Sequence, residues 1–452
     1  MLFSPAETAE ERSIASASHI ASAARGSAIS RYRPSLIEFS ESPPGGCAGT
    51  NSLTLATYRL IADTQLMVKP DYENASIVNL MASILQELGN RSNLHPPLKE
   101  LDGECFARAR NVVLLVIDGL GYNYLTANAP QSTLRKFLRT KLTTVFPSTT
   151  ATAITTFMTG LAPQQHGLAG WFTYFQELGS ILTVLPVKPR IGTAPAADLN
   201  IDAGSLYGHV PVFDLLDVDG YIVSPRNIAF SDYSLAHRGK AKTIPYENLT
   251  GCFASTRDII KGGSNKKYIY TYWPQFDGLA HEKGVNSKEA TEHFREIDEA
   301  FSRFIQDIDG TDTLVIATAD HGIVDSGPDY CVELEHHPEM RNMLTMPLSG
   351  ERRMAYCYVK SERREDFVHY LHNNLAEQLT VYQSGQLLER HYYGLGPAHP
   401  QLRRRIGDYM LVMKGNYTIM DTLPGEKHFY HIGSHGSLSE DEMLVPLIIV
   451  ET

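Results

Sequence analysis

The chain has 452 residues, of which 43% are hydrophobic and 20% are charged, and its formal net charge is −11 at pH 7. This is globular composition, and the length is sufficient for one large core or two domains. The sequence has neither the basic stripe of a protein that binds duplex nucleic acid nor a run of roughly 18 apolar residues that would indicate a membrane span.

Residues 1–68 show little apolar periodicity, and we interpret them as a poorly ordered N-terminal extension that precedes a folded domain over residues 69–452. They lack the apolar segment of a secretory signal. The cysteines are scattered without CxxC spacing, which favours reduced thiols over a disulfide framework and predicts a cytoplasmic protein. They are Cys47, Cys105, Cys252, Cys331 and Cys357.

The periodic part of the sequence begins near Asn74, with apolar residues at helical spacing up to Gly89. A second amphipathic helix is predicted over residues 287–308. Apolar segments predict buried strands at VVLLVI (112–117), YIYTYW (268–273), TLVIAT (313–318) and VPLIIV (445–450). Strands that alternate with helices predict an α/β fold, with a mostly parallel central sheet and helices on both faces.

Two long stretches, residues 171–262 and 335–430, fit this alternation poorly. We interpret both as insertions into the domain. Since neither reads as part of the repeating strand and helix pattern, we expect them to form a cap over the edge of the sheet.

Acidic residues and histidines follow the predicted strands. In open α/β sheets, ligands bind beyond the carboxyl ends of the strands, so these side chains are expected at one edge. The residues are Asp118, Asp277, His281, Asp320, His321 and His435. Carboxylates and neutral imidazoles are ligands for divalent cations such as zinc. Because this set exceeds one tetrahedral site, it predicts two metal ions, the arrangement that clamps both oxygens in phosphoryl displacement.

A nucleophile is expected in a segment rich in hydroxyl groups. Ser148, Thr149 and Thr150 precede ATAITTFM, and Thr159-Gly160 follows, which predicts a short helix with a glycine at its end. A hydroxyl at a helix N-terminus lies near free backbone N–H groups that favour phosphate. Metal coordination would lower its pKa and activate it. The residues alone leave the choice among the three hydroxyls open.

Five motifs, taken together and in this order, resemble those of the alkaline phosphatase superfamily, in particular its nucleotide pyrophosphatase and phosphodiesterase branch. They are VIDGLG, FPST…MTGLAPQQHG, DGLAH, ATADHG and GSHG, and the resemblance covers roughly residues 108–450. It implies that residues 69–452 are an alkaline phosphatase-like catalytic domain.

The resemblance also implies how the metal ligands divide. Asp118, Thr150, Asp320 and His321 would hold one ion, and the other would be held by Asp277, His281 and His435. The ions are commonly zinc, with manganese as the alternative. Alignment on the Thr-Gly pair that ends the helix places the nucleophile at Thr150, whereas alignment on FPST would place it at Val145, which has no nucleophilic group.

The activity that the resemblance implies is metal-dependent hydrolysis of phosphodiester or phosphoanhydride bonds through a phosphothreonine intermediate. The substrate would be a small phosphorylated molecule such as a nucleotide. A phosphomonoesterase, a phosphonate hydrolase or a phosphoryl transferase would use the same two-metal core, and a metal-binding scaffold without turnover is the alternative outside enzymes. The arginine of the phosphatase branch is not apparent, so another group must balance the remaining charge of the substrate.

Several other residues have two interpretations. Trp171 and Tyr174 are candidates for substrate contact or for packing under the cap. His166 belongs to a family motif but is interpreted as structural. Glu335, His336 and His337 have the residue types of a third metal site, although a solvated loop is favoured.

Overall fold

The computed structural model describes residues 67–89, 94–192 and 201–452. The predicted extension over residues 1–68 lies outside these ranges apart from Met67 and Val68. The helices are α1 Ile77–Gly89, α2 Gly103–Arg108, α3 Tyr122–Asn128, α4 Thr133–Lys136, α5 Thr150–Thr159, α6 Pro163–His166, α7 Ala203–Tyr207, α8 Val212–Leu215, α9 Asp232–His237, α10 Leu249–Lys261, α11 Gln275–Lys283, α12 Lys288–Asp307, α13 Pro338–Met343, α14 Arg364–Asn374, α15 Ser384–Glu389, α16 Leu402–Arg405 and α17 Glu440–Met443. The strands are β1 Asn111–Ile117, β2 Leu138–Thr143, β3 Phe172–Phe175, β4 Ser180–Thr183, β5 Lys188–Pro189, β6 Asp219–Pro225, β7 Lys242–Tyr246, β8 Lys267–Trp273, β9 Thr313–Thr318, β10 Val324–Asp325, β11 Cys331–Glu333, β12 Ser349–Gly350, β13 Met354–Cys357, β14 Leu379–Gln383, β15 Tyr409–Met413, β16 Thr418–Met420, β17 Gly433–Ser434 and β18 Leu444–Glu451.

The continuously apolar segments form the middle of a seven-stranded sheet with the order β2-β18-β9-β1-β8-β6-β7. Strands β9, β1, β8, β6 and β7 are parallel to their neighbours in this group. Every residue of β1, β8 and β9 is buried, as expected for central strands covered on both faces. The predicted α/β fold with a mostly parallel central sheet is confirmed.

Strand β18 was predicted to be parallel like the other central strands, and its direction is different. It runs antiparallel to both of its neighbours, β2 and β9. A continuous apolar run indicates burial on both faces but contains no information on direction. The reversal places the beginning of β18 at the edge where the parallel strands end, so the segment just before it, which contains His435, reaches that edge.

A second seven-stranded sheet has the order β14-β15-β13-β12-β3-β4-β5. Its strands β12, β13, β14 and β15 come from the stretch predicted as the insertion over residues 335–430. The insertion predicted over residues 171–262 is divided. Its first part forms β3, β4 and β5 of the second sheet, whereas β6 and β7 extend the central sheet, so the predicted boundary at residue 262 is corrected. These two strands are partly exposed, which weakens their apolar pattern.

Helices complete the core around the central sheet. Helix α12 buries Phe294, Ile297, Phe301 and Phe304 along one face, as its amphipathic pattern predicts. Helix α5 ends at Gly160, which has φ 71°, a left-handed conformation that glycine adopts without strain. Within the described ranges, no helix is long and apolar enough to cross a membrane, and the four cysteines form no disulfide.

Candidate active site

Three aspartates lie where neighbouring strands of the central sheet end. Asp118 directly follows β1, Asp320 follows β9 after one intervening residue, and Asp277 lies in the first turn of α11 just after β8. Strands β9, β1 and β8 are adjacent in the sheet, so their carboxyl ends bring the aspartates to one edge. Asp118 and Asp320 are buried, with exposed fractions of 2% and 0%.

The first predicted ligand group is brought together around His321. Its Nε2 atom lies 3.1 Å from Oγ1 of Thr150. The same nitrogen is 3.4 Å from Oδ1 of Asp118 and 3.4 Å from Oδ2 of Asp320. Thr150, Asp118, Asp320 and His321 thus converge on one point, although residues 118, 150 and 320 are distant in the sequence.

The second predicted group is also brought together. Asp277 and His281 lie one turn apart on α11, and Oδ2 of Asp277 is 3.3 Å from Nε2 of His281. The Nε2 atom of His435 is 3.2 Å from Nε2 of His281 and 3.8 Å from Oδ1 of Asp277. All seven predicted ligands therefore lie in two neighbouring groups.

The two groups touch through their histidines. The rings of His321 and His435 are stacked, with centroids 3.7 Å apart and an interplanar angle of 21°. Potential ligand atoms of Asp277, His321 and His435 lie within 4.8 Å of one another, as do those of Asp118, Asp320 and His321. Since His321 belongs to both tight groups, the assignment of each ligand to one ion stays a prediction.

Each histidine ring is oriented by a backbone carbonyl oxygen. The Nδ1 atoms lie 2.7 Å from the oxygen of Gly433 for His281, 3.1 Å from that of Ser148 for His435, and 3.1 Å from that of Gly322 for His321. Because a carbonyl oxygen only accepts hydrogen bonds, each Nδ1 must carry the proton. The Nε2 lone pairs are then free for a metal ion.

The carboxylates fit the same role. Oδ1 of Asp118, Oδ1 of Asp277 and Oδ2 of Asp320 are buried oxygens without a hydrogen-bond partner. Burial, together with the charges of Asp320 and Asp277, raises the pKa of the Asp118 carboxyl well above its usual value. Burial also lowers the pKa of His435 well below its usual value, with help from His321 and His281. Divalent cations would compensate these carboxylates and bind the neutral imidazoles, so the residues fit metal ions.

The loop that contains His435 is held by a buried ion pair. Nη2 of Arg353 lies 2.9 Å from Oε2 of Glu442, and the two side chains have exposed fractions of 1% and 0%. The backbone N–H of Ser437 donates to Oε1 of Glu442 at 2.9 Å. Glu442 therefore connects the His435 loop to the segment that precedes β13.

The three candidate nucleophiles have different surroundings. The Ser148 hydroxyl donates to the carbonyl oxygen of Ser437 at 2.7 Å, so it is used in the structure of the loop. Thr149 and Thr150 both line the adjacent cavity. Of the three hydroxyls, that of Thr150 lies next to a candidate metal ligand, His321.

A cavity of about 500 Å³ opens beside these residues. Thr150, Asp277, His281 and His435 form one side, and the second sheet with the segment around residues 419–431 forms the other. Trp171 lines the cavity, and its backbone N–H donates to Oε1 of Glu351 at 2.5 Å.

Tyr174, the other predicted substrate contact, is not among the residues that line this cavity. It lies in β3 opposite Ile181, and its ring packs edge-on against that of Tyr358 at 5.2 Å. This position favours the second interpretation of Tyr174, packing, here within the second sheet, and substrate contact stays a prediction. A strand advances about 3.3 Å per residue, so three positions beyond Trp171 carry the side chain past the cavity.

The remaining predicted residues lie apart from this site. His166 is fully buried, and its Nδ1 accepts the backbone N–H of Leu168 at 3.1 Å. Glu335 and His336 group with Glu333 and are exposed, whereas His337 bonds to the hydroxyl of Tyr370 at 2.9 Å.

Sequence reasoning missed four residues of the site. They are Tyr272, Glu351, Arg352 and His431, of which the last three line the cavity. The Tyr272 hydroxyl donates to Asp118, and Nδ1 of His431 lies 2.9 Å from Nδ1 of His281. Tyr272 is part of a strand pattern, and the other three follow no motif. The histidines at 428 and 431, close before GSHG, were the one available signal.

Residues 112–438 match the model of the type I phosphodiesterase / nucleotide pyrophosphatase family. The chain belongs to this family. The family is metal-dependent, and its members are phosphoryl hydrolases of the phosphodiesterase and nucleotide pyrophosphatase type. A search of curated proteins finds no significant match.

Solved structures of several similar proteins share the fold. Murine ectonucleotide pyrophosphatase / phosphodiesterase 5 is 16% identical with a TM-score of 0.57, over 74% of this chain and 87% of that one. An inactive variant of the murine protein, in complex with AMP, is 16% identical with a TM-score of 0.56, over 74% of this chain and 87% of that one. Phosphonoacetate hydrolase from Sinorhizobium meliloti 1021, in complex with phosphonoacetate, is 17% identical with a TM-score of 0.55, over 75% and 90%. At these identities the likeness shows the fold.

Proposed function

We propose that this phosphodiesterase family member hydrolyses phosphodiester or phosphoanhydride bonds of a small phosphorylated substrate with two divalent cations and Thr150 as the nucleophile. The observation that carries the proposal is the position of the Thr150 hydroxyl, 3.1 Å from Nε2 of His321, beside three aspartates with unpartnered oxygens.

The ligand sets follow the two groups of the site. Asp118, Thr150, Asp320 and His321 would hold one cation, and Asp277, His281 and His435 would hold the other. Zinc fits this mixture of carboxylate and imidazole ligands, and manganese is the alternative. When bound, the cations would lower the pKa of the Thr150 hydroxyl and stabilise charge on the attacking and leaving oxygens.

The reaction proceeds in two displacements at phosphorus. Oγ1 of Thr150 loses its proton to solvent and forms a bond to phosphorus, while the bond to the leaving oxygen breaks with its electron pair. The leaving group takes up a proton, and a phosphothreonine remains. Water then attacks this phosphorus, the bond to Oγ1 breaks, and the Thr150 hydroxyl is regenerated.

Three observations support these steps. Thr150 begins α5, whose N-terminal backbone N–H groups favour a phosphate nearby. The cavity of about 500 Å³ has the size of a site for a small organic ligand. The AMP and phosphonoacetate complexes of the two similar folds support a small phosphorylated substrate for this chain.

A substrate panel tests the activity class. A nucleotide 4-nitrophenyl diester, a dinucleoside pyrophosphate, a monoester and a phosphonate are each incubated with and without chelator. We expect turnover of the diester and the pyrophosphate, its loss with chelator, and its return with zinc or manganese. Turnover of the monoester or the phosphonate alone would assign the chain to those alternatives, and turnover that resists chelation would contradict the two-metal proposal.

Thr150→Ala tests the nucleophile. We expect a loss of roughly 1,000-fold or more in kcat with metal content retained, because the covalent step is removed. Thr149→Ala is the matched control and should keep most of the activity. Mass spectrometry of acid-quenched protein should find phosphate on residue 150. Full activity of Thr150→Ala would refute the role.

A further inference from the structure

A row of aromatic rings leads along the cavity wall from the candidate metal site to Arg352. The ring centroids of His281 and His431 are 4.4 Å apart, and those of His431 and Phe429 are 5.0 Å apart. The Cζ atom of Arg352 lies 4.8 Å from the Phe429 ring centroid, a cation–π contact. Arg352 therefore lines the same cavity as Thr150, two rings beyond His281.

Arg352 is half-buried and differs from nearby arginines whose side chains are more fully buried. Arg190, Arg353 and Arg405 have carboxylate partners at 2.9, 2.9 and 2.8 Å. Arg352 donates from Nη1 to the carbonyl oxygen of Phe429 at 2.9 Å, and no ion pair within the described ranges includes it. Burial lowers the pKa of Arg352. A guanidinium has five N–H donors, so most of its hydrogen-bonding capacity is left for a ligand.

Other carboxylates along this wall have partners of their own. Glu426 is bound to Arg190 through two oxygens, at 2.9 and 3.1 Å. Oδ2 of Asp421 accepts the backbone N–H of Leu348 at 3.0 Å. Oε1 of Glu351 accepts the backbone N–H of Trp171 at 2.5 Å. The positive charge of Arg352 therefore faces the cavity without a carboxylate of its own.

We propose that Arg352 forms a subsite for a second anionic group of the substrate, a carboxylate or a phosphate, located away from the phosphorus that reacts. The inference rests on the proposed function and adds a substrate class to it. Lys427, an exposed residue that lines the same cavity, adds positive charge near the opening. A guanidinium binds a carboxylate or a phosphate through paired N–H donors. Arg352 therefore specifies an anionic group and does not distinguish between these two.

A substrate series with one leaving group tests the subsite. The esters are 4-nitrophenyl phosphodiesters whose second ester is an alkyl arm that ends in a carboxylate, a phosphate or a neutral carboxamide. For the unmodified protein we expect kcat/KM to be about 10- to 100-fold higher with an anionic arm, the range of a hydrogen bond between charged groups. The anionic arm that gives the higher kcat/KM shows whether the subsite prefers a carboxylate or a phosphate.

Substitutions show whether Arg352 causes the preference. In Arg352→Gln the ratio between anionic and neutral arms should fall toward one, and Arg352→Lys should restore part of it. Arg364→Gln, which removes an exposed partner of Asp408, is the matched control and should keep the ratio. A purely structural role of Arg352 would lower all three esters equally and leave the ratio unchanged, which would overturn the proposal.

A binding measurement separates this proposal from the proposed function. Calorimetry with Thr150→Ala protein gives the Kd of each intact ester. If the unmodified protein hydrolyses none of the esters, the proposed function fails. The subsite would still be supported if Thr150→Ala binds the anionic esters with a Kd at least 10-fold lower than that of the neutral ester, and if this difference disappears in Thr150→Ala/Arg352→Gln. Equal Kd values for charged and neutral arms would overturn it.

Discussion

The histidines at the sheet edge can be compared with a second group of histidines near α6 and α9, in which His166 and His237 are buried and His209 is half-buried. In that group, Nδ1 of His209 lies 3.1 Å from Nε2 of His237, and Nε2 of His209 lies 2.8 Å from the carbonyl oxygen of His166. Nδ1 of His237 lies 2.9 Å from the carbonyl oxygen of Tyr233. The rings are therefore bonded to one another and to the backbone.

The difference lies in the carboxylates. At the sheet edge, His281, His321 and His435 direct Nε2 atoms toward aspartates that have oxygens without partners. None of the groups of potential metal ligands found in the described ranges includes His166, His209 or His237. We therefore infer that clustered histidines alone do not make a candidate metal centre, and that carboxylates whose charge a cation would balance are also needed.

The largest effect is expected from removing one of these carboxylates. Asp320→Asn should lower metal affinity by more than roughly 100-fold, and activity should fall with it. Residues that only support the ligands typically change metal affinity by roughly 10- to 100-fold, and a direct ligand should have a larger effect. Metal per chain is measured by emission spectrometry after dialysis. His237→Gln is the control from the other cluster and should retain metal. Equal metal content in the two variants would remove the distinction between the clusters.

A smaller effect is expected from the residue that holds the His435 loop. Glu442→Gln leaves the Arg353 guanidinium buried without its ion partner, and should lower the free energy of unfolding by about 3–5 kcal/mol. Urea denaturation measures this value. Metal affinity should also fall by roughly 10-fold, because His435 is less well positioned.

The half-exposed pair of Arg364 and Asp408 supplies the comparison for this prediction. Arg364→Gln should change the free energy of unfolding by about 1 kcal/mol or less, since exposed ion pairs contribute little. A Glu442→Gln protein with unaltered stability and metal affinity would mean that the loop is held by its other contacts.

The smallest effect, expressed per pH unit, concerns the second cluster. Burial, with the neighbouring His237, lowers the pKa of His209 to about 3, and burial lowers that of His237 to about 4. The unfolded chain has histidine pKa values near 6.5, so between about pH 6.5 and 4 it binds protons that the native cluster excludes. The free energy of unfolding should therefore fall as the pH decreases through this window, by about 1.4 kcal/mol per pH unit for each such histidine at most.

His237→Phe tests the origin of this slope. Phenylalanine retains an aromatic ring against Tyr233, whose ring stacks on that of His237 at 4.2 Å, and removes one titrating group. Urea denaturation at several pH values, with chelator throughout, should give a shallower slope than in the unmodified protein. The same slope in both proteins would show that titratable groups other than His237 cause the pH dependence. Other titratable or charged groups around the cluster are His166, His399, Arg405, Tyr207 and Tyr233.

Much of this comparison could be predicted from the sequence. Asp118, Asp277 and Asp320 were found because each follows an apolar strand, and parallel strands deliver their ends to one edge. The helix with a glycine stop also placed the nucleophile among Ser148, Thr149 and Thr150, and the family resemblance then chose Thr150. In these cases local sequence and tertiary position are linked by the period of a strand or a helix.

Other features depend on contacts between distant residues and have no local signal. The direction of β18 is set by its neighbours, since burial on both faces looks the same in either direction. The pairing of Arg353 with Glu442, and the absence of a carboxylate beside Arg352, become visible only when the second sheet is placed against the central one. Strands β6 and β7 were missed because partial exposure interrupts their apolar pattern.

The place of β18 in the central sheet has a consequence for biosynthesis. Strands β1, β8 and β9 are made first and can already bring Asp118, Asp277 and Asp320 together, but β2 joins the sheet only through β18. His435 belongs to the same late segment, so a nascent chain on the ribosome has an incomplete set of candidate metal ligands until β18 has been translated and has inserted. Binding of a cation by ligands that include His435 would therefore be a late event of folding, and it would mark chains in which β18 has been inserted.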